Sequence, residues 1–336
     1  MLTTITEHVF EKIEERFKEV RRASTRSASG RVYLPSGLVG SQITYLTREE
    51  FYSLRKELLR LRAVKRFFEH LLNSKNHSKM FSVVSETWNP VTGCTHNCVY
   101  CWARALATTK LRNSIRYRNG FLPRLNLGEF ERRFSGGFVF VSDMGDLFCD
   151  EIPDEWILKV LEHVGRFPNT YFLFLTKNPS RYLEFTRKFP PNAVLGATIE
   201  TDSDALYLES RPPISRAPPP SARYRAMAEL DWSMKFVSVE PVLDFDLERF
   251  TKWIREIDPF MVYVGYDNYG HKLPEPPMEK TLRLVEALSE FTLVVKKTIR
   301  PAWHEREPLQ NVNKSEPKKI GYGTNYRTHP YFPTTR

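Results

Sequence analysis

Six short runs, each apolar on both faces, most constrain what this chain can become: FVFVS (138–142), YFLFLT (171–176), AVLGATI (193–199), KFVSVE (235–240), MVYVG (261–265) and TLVVK (292–296). Strands of that kind belong to parallel sheets covered on both sides. Amphipathic helical stretches lie between most of them, among them LERFTKWIREI (247–257) and MEKTLRLVEALSEF (278–291). PDEWILKVLEHVGRF opens on Pro153, at a helix start where its missing N–H costs nothing. With a further strand near 83–88, the alternation predicts an α/β fold, a complete or partial β/α barrel over residues 81–300.

Residues 1–80 read instead as a basic, mostly helical extension. Phe10, Ile13, Phe17 and Val20 fall at helical spacing, and residues 29–46 form a small β-rich segment. Thr47 and Glu50 make a capping box for a long helix with the apolar stripe Phe51, Leu54, Leu58, Leu61, Phe68 and Leu72 and a basic opposite face. Residues 208–224 are Pro-rich and basic, an extended excursion before the next helix, and the tail 301–336 shows no clear period.

The net charge of +10 fits a basic solvated surface or an acidic partner, nucleic acid first. No apolar run approaches the roughly 20 residues of a membrane span. Nothing reads as a signal peptide. Four cysteines, three of them clustered, do not make a secreted disulfide scaffold, so a reducing, cytoplasmic setting is expected.

The cluster is GCTHNCVYCWAR (93–104), with the spacing Cys94-x3-Cys98-x2-Cys101. Soft thiolates suit zinc and iron–sulfur centres alike, so ligand type leaves both open. Structural zinc needs four protein ligands. The nearest additional residues are His96, inside the same loop, and the distant Cys149, and there is no second knuckle. The loop also follows the first strand of the β/α series, at the end where barrels carry their machinery. These features lean towards iron.

CxxxCxxC with an aromatic residue before the third cysteine resembles the signature of radical S-adenosylmethionine (SAM) enzymes. ETWNPVTGCTHNCVYCWARALA is similar, more narrowly, to the opening motif of a phage- and prokaryote-borne family of radical-SAM-like proteins of unknown function. FVFVSDMGDLFCDEIPDEWI, FLFLTKNPSR, LGATIET and KFVSVEPVL match its later blocks in order, over about residues 86–300. Spore photoproduct lyase looks like a more distant relative. The chain departs at VGYDNYGHK, where the family usually has Gly-Gly-Glu-Ser, and it lacks the longer insertion many relatives carry between the first two cysteines.

The resemblance implies that Cys94, Cys98 and Cys101 ligate a [4Fe–4S] cluster that binds SAM, reduced by a flavodoxin- or ferredoxin-like donor. Tyr100 or Trp102 would pack by the adenine, and Ser142, Asp143 and Asp146 would meet the methionyl amine. Lys177 would pair with a cofactor carboxylate or substrate phosphate, unless a neighbouring carboxylate neutralises it. Thr198, Glu200, Ser238 and Glu240 end strands and suit ribose hydroxyls or loop caps. Cys149 is a candidate hydrogen donor, although a lone cysteine is more often a packing residue, and His96 reads as a surface residue. The expected activity is reductive cleavage of SAM to a 5′-deoxyadenosyl radical acting on an unidentified substrate, with DNA or RNA the leading class. The alternatives are a zinc-stabilised, non-catalytic nucleic-acid-binding protein and an iron–sulfur protein that never cleaves SAM.

Overall fold

The computed structural model describes residues 59–69 and 83–305. Helix α1 (residues 59–69) precedes β1 (Glu86–Trp88), β2 (Val91–Thr92), α2 (Trp102–Thr108), β3 (Arg124–Leu125) and β4 (Phe138–Val141). The β/α rhythm follows: α3 (Asp154–Gly165), β5 (Tyr171–Thr176), α4 (Ser180–Phe185), β6 (Ala193–Thr198), α5 (Asp204–Glu209) and α6 (Pro220–Glu229). The last elements are β7 (Lys235–Val239), α7 (Leu247–Ile257), β8 (Met261–Val264), α8 (Met278–Ser289) and β9 (Leu293–Lys296).

Seven strands form one sheet in the order β1-β4-β5-β6-β7-β8-β9, every neighbouring pair parallel. Strand order that follows chain order, with β1 and β9 left at opposite edges, is an open β/α barrel. The small β2–β3 ladder is antiparallel and separate.

Because successive side chains on a strand point to opposite faces, each apolar run feeds two cores. Val139, Val141, Phe172, Phe174, Leu195, Val237, Val262 and Val264 pack outward against helix residues such as Val160, Phe250, Ile254 and Leu284. Phe138, Phe140, Leu173, Val194, Phe236, Met261 and Tyr263 face the other way, onto Val64, Phe67 and Phe68 of α1. The helix thus fills the inner face of the sheet. Phe67, fully buried, meets Phe138, Tyr171 and Phe260 edge-on at centroid distances of 4.9, 5.1 and 5.2 Å. Truncating it should open a cavity costing about 3–5 kcal/mol. Urea denaturation of Phe67→Ala checks this; a change below about 1 kcal/mol would mean that α1 does not fill the sheet in solution.

Of the expected helix stripe, Phe68 is buried and Leu61 half-buried, while Val64 and Phe67, outside it, carry most of the contact. Phe51, Leu54, Leu58 and Leu72 lie outside the described residues, as do the readings made for 1–58, 70–82 and 306–336. The Pro-rich excursion is shorter than expected, because α5 and α6 take up both its ends. Among the described residues no helix is long and apolar enough to cross a membrane.

Candidate functional site

After β1 the chain lays the cysteine loop across the turn that follows β4. Gly93 N donates to Met144 O at 2.9 Å, Asp146 N donates to Gly93 O at 3.3 Å, and Gly93 bridges Gly145. Gly93 has φ +87, and a Cβ there would meet Leu122 O at 2.1 Å. A Cβ on Gly145 would meet Gly93 O at 2.7 Å, so the close approach of the two turns depends on that glycine, while Gly93 leaves room for the Leu122 backbone.

The other side of the loop is braced by the Pro-rich excursion. Val99 N donates to Ile214 O at 2.9 Å and Arg216 N to His96 O at 2.6 Å. Ser215 Oγ donates to His96 O at 3.0 Å and lies 3.1 Å from Cys98 Sγ. The other two sulfurs also have hydrogen-bonding neighbours: His96 N donates to Cys94 Sγ at 3.4 Å and Arg104 N to Cys101 Sγ at 3.3 Å. The second contact caps α2, since Cys101 is its N-cap.

Cys94, Cys98 and Cys101 line one cavity of about 490 Å³, with Tyr100, Trp102, Asp143, Asp146, Lys177, Thr198, Ser238 and Glu240. It lies at the C-terminal ends of the strands, where the inner face turns from apolar to polar at Thr198 and Ser238. Ser142, Cys149 and Glu200 are buried and outside the lining. Ser142 stands at φ 58, in the left-handed region, directly after β4.

The two aspartates of the SDMGD turn have opposite surroundings. Asn89 Nδ2 donates to Asp143 Oδ1 at 2.6 Å, while Oδ2 is buried without a hydrogen-bond partner among the described residues. Burial pushes this carboxyl up to about 6. Asp146 is saturated: it accepts from Thr176 Oγ1 at 2.7 Å, Lys177 N at 2.9 Å and Phe148 N at 3.0 Å, and its Oδ2 lies 3.0 Å from His96 Nε2. Burial opposes its charge, but the His96 bond and the other donors outweigh that and hold it below the usual carboxylate range. Burial likewise opposes a charged His96, and Asp146 and Cys149 outweigh it, pushing the ring up to about 10. His96 is therefore no surface residue, being 5% exposed. Cys149, 55 positions after Cys94, has its Sγ 3.5 Å from that residue's Sγ.

Glu200 does not reach the cavity. Tyr100 Oη and Lys177 Nζ both donate to its Oε1, and Arg223 Nη1 donates to its Oε2 at 2.6 Å. Burial opposes ionisation here, but the Arg223 and Lys177 charges more than compensate and bring the carboxyl down to about 2. Lys177 also donates to Tyr100 Oη at 2.6 Å. It is thus neutralised by a neighbouring carboxylate, one of the two outcomes its position allowed. Sequence reasoning missed Arg223 and Ser215; both sit in or beside a proline run with no period to read.

The far wall comes from VGYDNYGHK and the end of β9. Lys297 Nζ pairs with Glu240 Oε2 at 2.7 Å, and Asp267 accepts from His271 N at 2.7 Å and Tyr269 N at 3.1 Å.

Residues 79–254, more than half of the 336, match the model of a family described as protein of unknown function (DUF5131). The chain belongs to that family. No curated protein matches the sequence. Among solved structures, a mutant spore photoproduct lyase with bound AdoMet and dinucleoside spore photoproduct is similar at TM-score 0.42 and 13% identity, over 62% of each chain. A radical SAM methyltransferase from Sphaerobacter thermophilus is similar at TM-score 0.40 and 16% identity, over 63% of this chain and 66% of that one. Streptococcus suis SuiB bound to S-adenosylmethionine is similar at TM-score 0.40 and 12% identity, over 86% of this chain and 60% of that one. The family member thus spans about three fifths of the lyase and SuiB chains.

Proposed function

We propose that this protein is a radical SAM enzyme, with Cys94, Cys98 and Cys101 holding a [4Fe–4S] cluster and the cavity holding SAM. One observation carries the reading. Three cysteines, each with a hydrogen-bonding neighbour at its sulfur, line a single cavity at the C-terminal end of an all-parallel sheet. Backbone N–H donors to sulfur, as at Cys94 and Cys101, suit an iron–sulfur centre. The cavity, at about 490 Å³, lies in the usual range for small-molecule sites.

When bound, the cluster and SAM supply one-electron cleavage of the sulfonium to methionine and a 5′-deoxyadenosyl radical. The rest falls to the chain. The unpartnered Asp143 Oδ2 suits an ammonium group such as the methionyl amine. Trp102 offers an aromatic face to the adenine, while Tyr100 is steadied by Lys177 and Glu200. Thr198, Ser238 and Glu240 supply acceptors for ribose hydroxyls, and Glu240 is itself oriented by Lys297. Cys149 is kept as the candidate hydrogen donor.

Nucleic acid is the substrate class we carry forward. Its support is the net charge of +10, with Lys110, Arg112 and Arg118 exposed on the segment leading to cavity-lining Phe121. A flavodoxin- or ferredoxin-like protein would supply the electron.

The test is anaerobic reconstitution with iron and sulfide, then SAM and a strong reductant. 5′-Deoxyadenosine and methionine are expected to form together, above a control without reductant. An iron-loaded protein that yields neither would overturn the reading.

A further inference from the structure

Cys94 belongs to two groups of potential ligands, the thiols of its own loop and a second set that reaches across to the turn after β4. Its Sγ lies 3.5 Å from Cys149 Sγ, and Cys149 Sγ lies 3.6 Å from His96 Nε2. All three atoms fall within 4.8 Å of one another, on residues that are buried or nearly so. A tetrahedral ion with Zn–S of about 2.3 Å and Zn–N of about 2.0–2.1 Å sets two sulfurs about 3.8 Å apart and sulfur and nitrogen about 3.5 Å apart. The Cys94–Cys149 and Cys149–His96 pairs already stand close to those edges.

Cys98 and Cys101 take no part in this arrangement. Their sulfurs lie outside the group of mutually close ligand atoms.

We propose that Cys94, His96 and Cys149 form a mononuclear Zn²⁺ site. Two thiolates and an imidazole are the donor set zinc prefers. The ion takes the place of the proton shared between His96 Nε2 and Asp146 Oδ2 and of the two thiol protons, all of which leave to solvent. Asp146 keeps its bonds from Thr176, Phe148 and Lys177 and stays fixed beside the site. Asp146 Oδ2, 3.0 Å from His96 Nε2, stands within reach of the fourth position.

The site stands on its own geometry. Its consequence for a cluster rests on the function proposed above: because Cys94 is shared, one loop holds either the ion or the cluster.

The experiment is an anaerobic titration of the metal-free, reduced full chain with Co²⁺, followed by displacement with Zn²⁺. One Co²⁺ per chain is expected, with tetrahedral ligand-field bands and thiolate-to-cobalt charge transfer. Cys149→Ser and His96→Gln should each weaken binding at least tenfold, while Cys98→Ser and Cys101→Ser leave it within about threefold. Equal weakening by Cys98→Ser or Cys101→Ser, or parent-like binding in Cys149→Ser and His96→Gln, would overturn the site. X-ray absorption at the zinc edge of the parent chain tests the ligand set without any substitution. Two sulfurs and an imidazole nitrogen are expected, and three sulfurs would defeat the proposal. Neither readout involves iron or SAM, so this site and the proposed activity stand or fall separately.

Discussion

Arg223→Met is expected to lower folding stability by about 3–5 kcal/mol, the range for removing one partner of a buried ion pair. Arg223 and Glu200 both have side chains with no solvent exposure. The guanidinium spends Nη1 on Glu200 Oε2 at 2.6 Å and on Thr198 O at 2.9 Å, and Nε on Pro218 O at 2.7 Å. Its carbon lies 4.6 Å from the centre of the Tyr207 ring. Methionine fills much the same volume, so the expected loss comes from an under-compensated carboxylate rather than from a cavity.

The same pair sets the acid limit of the fold. Glu200 titrates at about 2 in the folded chain against 4.5 ordinarily, so its stabilisation is complete above about pH 4.5 and drains away as pH falls towards 2. A depression of that size is worth about 3 kcal/mol. In Arg223→Met the carboxyl titrates higher, so acid destabilisation begins at a higher pH. Chemical denaturation at pH 7 and melting curves between pH 2 and 7 test both parts. Unchanged stability and an unchanged acid limb would mean that Lys177 alone suffices to hold Glu200.

Cys98→Ala should abolish both iron retention and SAM cleavage, down to the level of a control without reductant. Three thiolates are needed to hold the proposed cluster, and no fourth cysteine stands ready to replace this one: Cys149 lies against Cys94 and His96 instead. The fold itself should tolerate the change. Only the contact with Ser215 Oγ is lost, costing about 1 kcal/mol. The same variant should still take up Co²⁺ through Cys94, His96 and Cys149, which makes it an internal control for folding. Iron and cleavage both surviving in Cys98→Ala would refute the thiolate assignment.

The sheet was legible because its strands are apolar on both faces; KFVSVE and YFLFLT land within a residue of β7 and β5. The cysteine loop was legible because its three thiols are close in sequence. His96 and Cys149 could not be paired that way. Their contact spans 53 positions and exists only because β1 and β4 lie side by side. Arg223 was hidden for a different reason. A charged residue beside a proline run has the composition of a solvated linker, and only the folded chain shows it facing Glu200 inside the protein. Phe67 escaped because the stripe was drawn too narrow: it ran through Phe68, and the buried face of α1 takes in both.

The stretch from Ile214 to Arg223 touches two walls of the cavity at once. Its first half fastens the cysteine loop through Ile214, Ser215 and Arg216, and its far end anchors the carboxylate that steadies Tyr100 and Lys177. Both walls therefore share a common mount. Slack introduced anywhere in that tether displaces the cysteine wall and the charged wall together, so the gap between them is governed by a segment that contributes no lining residue of its own.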